Sequence, residues 1–141
     1  MSEPVFEGGC LCRAVRFSVA GPIENPSFCH CQSCRRASGA PMVAWATFPA
    51  ANFRIRQGEL AYYRSSPRVT RGFCPGCGGA LTYAHDQRPG ELDVVLVALD
   101  EPFRIRPECH IWVSHKLPWL VIGDGLPQYP EWRRIGPGSG A

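Results

Sequence analysis

The sequence predicts one mainly β domain, held at its turns by metal-binding cysteine knuckles and carrying at most a short helix. Three observations carry that expectation. Apolar and polar residues alternate over short runs such as Val15 to Val19, the period of a half-buried strand. Gly 15 and Pro 14 are both high for 141 residues, which favours short strands and many turns over long helices. Eight cysteines then fall at close spacing: Cys10/Cys12, Cys29/Cys31/Cys34 and Cys74/Cys77, with Cys109 alone. Neighbours spaced this closely converge on one ion more easily than they form disulfides with each other.

The elements follow in order. Val15, Phe17 and Val19 alternate with Arg16 and Ser18 as a strand. "GPIENP" reads as turn material. Gln32 to Ser38 is the one good helix candidate, with Gly39 placed to end it. "MVAWATF" (42–48) reads as a buried strand, and "NFRIRQG" (52–58) as a strand with one basic face. "LAYYRSS" (60–66) is another strand, and "FCPGCGGALTY" (73–83) is a tight knuckle between two extended arms. "LDVVLVAL" (92–99) is the most buried strand expected, and "FRIRPECHIWVS" (103–114) is the last. Residues 1–134 form the expected domain, and 135–141, ending in "GPGSGA", a flexible tail.

Composition narrows the classes. A chain of this length can bury a core without disulfides. The net charge of +3 is too mild to point to nucleic acid. The opening "MSEPVFEGG" has neither the basic nor the apolar region of a signal peptide, and the longest apolar run, Val94 to Leu99, is too short to span a membrane. A cytoplasmic protein follows as the expectation, and in that reducing compartment clustered cysteines bind metal.

Cys10/Cys12 with Cys74/Cys77 make a complete four-cysteine set, which would be closed, tetrahedral and structural. The competing partition pairs Cys31/Cys34 with Cys74/Cys77, and spacing leaves both open. Taken together, "GGCLCRAVRF", "CHCQSCRRASGAP", "FCPGCGGALTY" and "HIWVSHKLPW…DGLPQY" resemble the glutathione-dependent formaldehyde-activating family, also described as centromere-protein-V-like. The likeness runs from about Gly8 to Tyr129. It implies a zinc-bound β-tent fold of the Mss-four-like kind. It also implies a structural zinc on Cys10, Cys12, Cys74 and Cys77, and a second, catalytic zinc on Cys29, Cys31 and Cys34 where the thiol of glutathione meets formaldehyde. Arg13 departs from the Gly usual after the family's C-x-C, and Gly79 from the Thr or Ser common after its C-x-x-C-G.

Three thiolates leave a zinc site with net charge −1, a poor generator of hydroxide but a welcoming place for a fourth sulfur. The metal would hold an incoming thiol as thiolate, able to add to a small aldehyde or to leave when a C–S bond breaks. The expected partners are therefore a small thiol such as glutathione and a small aldehyde. Arg35 and Arg36, directly after the third cysteine, are candidates for the thiol's carboxylates, and Trp45 and Trp112 for cleft walls. His30 lies between two ligands and, in extended chain, faces away from them. It is expected in a supporting or surface role. His110 and His115 are packing residues or proton carriers, and Cys109 reads as a buried free thiol.

Other classes fit less well. A B-type methionine sulfoxide reductase would explain Cys109 but not Cys29, Cys31 and Cys34. A zinc deaminase lacks its H-x-E. The alternative from another class is a non-enzymatic binding module with both zincs structural, using Arg54, Arg56, Arg104 and Arg106 toward a protein or nucleic-acid partner.

Overall fold

The computed structural model describes residues 3–133. The tail expected at 135–141 lies outside the described residues, as does the last residue of the expected domain. Among the described residues, ten strands form two sheets, joined by one α-helix and short 3-10 turns. The smaller sheet holds β1 (Val5–Gly9), β2 (Arg16–Ala20) and β5 (Phe53–Gln57), in the order β1-β2-β5 and antiparallel throughout. The larger contains β3 (Glu24–Cys29), β4 (Val43–Pro49), β6 (Ala61–Ser66), β7 (Val69–Phe73), β8 (Ala80–His85), β9 (Glu91–Val95) and β10 (Cys109–Ile111). Its order is β10-β3-β4-β9-β8-β7-β6. All its neighbours are antiparallel except β10 and β3, which run parallel with Cys109 opposite Ser27 and Ile111 opposite Cys29. The mainly β expectation holds.

The core lies between the sheets. Phe6, Phe17 and Val19 of the small sheet meet Phe48, Leu81 and Val94 of the large one. The approach is close enough that a Cβ on Gly8 would lie 2.5 Å from the Ala98 carbonyl oxygen, so glycine is required there. Ser18, which alternation assigns to the outer face of β2, is nonetheless buried, because Arg56 lies over it and donates from Nε to its Oγ at 2.9 Å.

Two strands are shorter than the apolar pattern suggests. The run expected as a strand over 92–99 leaves the sheet at Val95 and turns through a 3-10 segment, Leu96–Ala98. The chain is there crossing to the small sheet, where Leu99 bridges Gly8 and the Asp100 N–H donates to the Glu7 carbonyl. Leu96 and Leu99 are buried by the crossing, so the run reports burial rather than extension. The strand expected over 103–114 is reduced to β10. Pro102 opens a 3-10 turn in place of the second "FRIR" strand, and Arg104 turns back over the Phe6 ring at 4.3 Å. Conversely β1, β3 and all but the last residue of β7 are strands that the pattern misses. Glu24, Asn25 and Pro26 read as turn residues, and they form the irregular start of β3, where the register with β4 shifts.

The helix, α1 (Gln32–Ser38), begins and ends where expected. Cys31 caps it, its Sγ accepting the Cys34 N–H at 3.3 Å, and Gly39 closes it at φ 68°. No helix among the described residues is long and apolar enough to cross a membrane.

Candidate metal centres and cleft

The fold resolves the partition of the cysteines. The sulfurs of Cys10, Cys12, Cys74 and Cys77 lie within 4.8 Å of one another, and those of Cys29, Cys31 and Cys34 do the same. The alternative pairing of Cys31/Cys34 with Cys74/Cys77 does not occur. Cys10 and Cys12 follow β1, while Cys74 and Cys77 follow β7, so the four-thiol set ties the small sheet to the large one. Backbone donors already serve these sulfurs: Val15 N–H to Cys10 at 3.3 Å, and Gly76 and Cys77 N–H to Cys74 at 3.3 and 3.4 Å. Backbone N–H groups, first that of Cys12, bring the Cys77 thiol down to about 6. Donors arranged this way favour thiolates, the form that binds metal.

The three-thiol set is built differently. Cys29 ends β3, Cys31 caps α1 and Cys34 sits on its buried face. Without a cation the three cannot all ionise. Hydrogen bonding from Cys29, then from Cys34, drives Cys31 down to about 2, while contact with Cys31 and Cys34 pushes Cys29 far up. A bound divalent ion removes that conflict, so both donor sets fit a soft metal, one closed with four ligands and one with three.

Cys29, Cys31 and Cys34 lie in the wall of a cleft of about 880 Å3, whereas none of the four-thiol set does. Trp45, Tyr83, Trp112 and Trp132 supply aromatic walls. Trp45 stands 5.8 Å from Tyr83, and Trp112 5.7 Å from Trp132 between ring centres. Burial holds Tyr83 as a neutral phenol, its pKa raised to about 12. Deeper in, Thr47 donates to Asp93 at 2.6 Å and Arg88 pairs with both Asp93 and Glu91. Arg68 is exposed in the cleft wall, with no ion pair among the described residues.

Arg35 and Arg36 are not among the cleft-lining side chains. Arg35 donates to the His115 carbonyl at 3.4 Å, and Arg36 is exposed on α1. Trp45 and Trp112 do line the cleft, as does His115, whose Nδ1 accepts the Gln32 N–H at 3.2 Å. Cys109 is buried and belongs to neither cluster.

His30 is fully buried, which removes a surface role. Its Nε2 lies 2.8 Å from His110 Nδ1, and His110 Nε2 lies 2.7 Å from Asp124 Oδ2. Burial keeps His30 neutral, lowering its pKa to about 4. A carboxylate only accepts, so His110 Nε2–H donates to Asp124, and for neutral rings His30 Nε2–H donates to His110. This chain pins the turn between Cys29 and Cys31 to β10. Arg71, like Asp124, is a residue that sequence reading missed. It is buried, and both terminal guanidinium nitrogens lie 3.9 Å from Cys34 Sγ. Its position two residues before the Phe73–Cys74 knuckle gave no signal, because the contact depends on β7 being brought against Cys34 of α1.

A family model described as glutathione-dependent formaldehyde-activating enzyme matches residues 5–115. A Schizosaccharomyces pombe protein named as an uncharacterized lyase is 33% identical over 84 residues, 58% of this chain and 59% of that protein. The alignment thus spans little more than half of that relative's length. A Halomonas elongata protein, provisionally named a glutathione-dependent formaldehyde-activating enzyme, is 29% identical over 129 residues, 84% of this chain and 81% of its own. A crystal structure of a Rhodobacter sphaeroides protein matches with a TM-score of 0.54 at 22% identity, covering 87% of this chain and 98% of that one. That last likeness is one of fold.

Proposed function

The chain belongs to the glutathione-dependent formaldehyde-activating family, and from that premise we propose a zinc-dependent enzyme of carbon–sulfur lyase type. It adds the thiol of glutathione, or of a similar small thiol, to formaldehyde or another small aldehyde, and runs the reverse. One observation carries this reading: the three-membered thiol cluster lines the large cleft, and the four-membered one does not. Zinc is the proposed metal at both. It would be structural on Cys10, Cys12, Cys74 and Cys77, and catalytic on Cys29, Cys31 and Cys34.

The second ion, when bound, would supply a Lewis acid that keeps a substrate thiol deprotonated near neutral pH. The remaining work falls to the protein. Cys29, Cys31 and Cys34 form a soft, electron-rich floor that favours sulfur over water. Trp45, Tyr83, Trp112 and Trp132 line the cleft and limit bulk water there. Glutathione brings two carboxylates, for which Arg68, without an ion pair among the described residues, is a cation in the wall; Arg35 and Arg36 on α1 are further candidates. The cytoplasm, where small thiols stay reduced, is the proposed compartment.

The test is retention on immobilised glutathione, competed by free glutathione, together with the rate of thiol–formaldehyde adduct formation. Competed retention and a rate above the uncatalysed reaction are expected. A protein with two zincs that is neither retained nor active would be a binding module with two structural ions, and the enzyme reading would fail.

A further inference from the structure

Arg71 is a buried cation with no buried anion of its own. Of the other arginines in the cleft wall, Arg88 pairs with Glu91 and Asp93, Arg133 pairs with Glu108, and Arg68 is exposed to solvent. Among the described residues no carboxylate pairs with Arg71. Its Nε donates to Ser65 Oγ at 3.1 Å, and its guanidinium lies 5.1 Å from the centre of the Tyr83 ring. Both Nη atoms contact Cys34 Sγ. Burying a guanidinium in this way is strongly unfavourable unless negative charge meets it. The thiolate cluster supplies part of that charge. It does not use all the donors, because a guanidinium carries five N–H groups; Ser65 takes one and Cys34 two. Arg71 itself lines the cleft beside the thiols.

Resting on the thiol–aldehyde reading above, we propose that Arg71 is a catalytic residue: it binds the aldehyde's carbonyl oxygen and stabilises the negative charge that develops there as sulfur adds. The chemistry balances without an oxidant or reductant. The thiol gives its proton to solvent on binding. Sulfur donates an electron pair to the carbonyl carbon, forming the C–S bond. The C=O π bond breaks and its pair moves to oxygen beside Arg71. That oxygen then takes a proton from water, giving the S-hydroxymethyl product. In the reverse direction the hydroxyl proton leaves first, Arg71 holds the resulting oxyanion, and the C–S bond breaks. Arginine suits the task because it stays charged throughout and offers its donors as a rigid fork.

The experiment compares the parent protein with Arg71→Met, Arg71→Lys and Arg71→Ala. Adduct formation is followed by NMR exchange between free and thiol-bound formaldehyde. Glutathione affinity is measured separately, and cobalt(II) substitution reports the thiolate-to-metal absorption of the cleft site. In Arg71→Met the rate should fall about 10²-fold, as for loss of one oxyanion donor, while glutathione Kd changes by less than about a decade. The cobalt absorption should persist. Arg71→Lys should fall between, and added guanidinium ion should partly restore Arg71→Ala. A Met variant that reacts at the parent rate overturns the proposal. So does loss of the cobalt absorption in both Met and Lys variants, which would make Arg71 a brace for the metal site. If the parent itself neither binds glutathione nor accelerates the reaction, the functional reading fails and this proposal with it. A binding, active parent with an indifferent Arg71 sinks this proposal alone.

Discussion

Arg13 has φ 67°, in the left-handed region that glycine adopts without steric cost. It lies one residue after Cys12, at the turn of the first knuckle, where its N–H donates to the Cys10 carbonyl at 3.2 Å. An arginine there carries strain of about 1–2 kcal/mol, and glycine in its place would cost about 0.5–1 kcal/mol in unfolded-chain entropy. Arg13→Gly should therefore raise stability slightly, by up to about 1 kcal/mol, with zinc content unchanged; denaturant midpoints on the metal-loaded protein measure it. A lower midpoint would mean that the side chain contributes more than the backbone loses. Arg13 stood out in the sequence because it departs from the Gly usual after the C-x-C of the family that the chain resembles. Arg71 and Asp124 had no such marker: their partners, Cys34 and His110, lie on other elements, 37 and 14 residues away. Nothing in a local pattern separates such an arginine from a solvated one.

Between elements, the chain from His30 through His110 to Asp124 links the end of β3, the middle of β10 and the loop that follows. It stands behind the turn that carries Cys29 and Cys31. His110→Gln should leave His30 without its ring partner, costing about 1–3 kcal/mol for an unsatisfied buried group. Supporting residues of this sort typically change metal affinity by about 10–100-fold. The cleft metal should therefore leave faster to a chelator while the four-cysteine site keeps its ion, a difference read by the release of zinc in two phases. Equal release from both sites would show that the histidine pair does not support the turn. At this scale the sequence was a fair guide to β2, β4 to β6, β8 and α1, where alternation, knuckles and caps act locally. It overran at Val95 because the apolar pattern measures burial, and Leu96 and Leu99 are buried while crossing between sheets. It underran at β3 because Pro26 and Asn25 interrupt the pattern of a strand that is nevertheless paired on both sides.

For the whole molecule, the two cysteine groups should differ in what their loss does. The four-thiol set joins the small sheet to the large one. Structural zinc contributes apparent binding free energy of about 10 kcal/mol or more in small modules, against a typical domain stability of about 5–15 kcal/mol. Cys77→Ser should leave the chain largely unfolded, by circular dichroism and zinc content. Cys34→Ser should fold with one zinc and lose thiol binding and turnover. Complete unfolding of both variants would make the cleft cluster a second clasp. The partition of the cysteines was open in the sequence because spacing constrains neighbours, not which distant pairs the sheets bring together. The parallel pairing of β10 with β3 has a further consequence, for the growing chain. As residues leave the ribosome in order, every ligand of the clasp is present once Cys77 has emerged. The three cleft cysteines emerge earlier still, but the strand that flanks β3 and the acid that anchors His110 come more than 70 residues behind Cys34. During synthesis the four-thiol set is thus complete well before β10 and Asp124 emerge to flank and anchor the segment that carries the three cleft thiols.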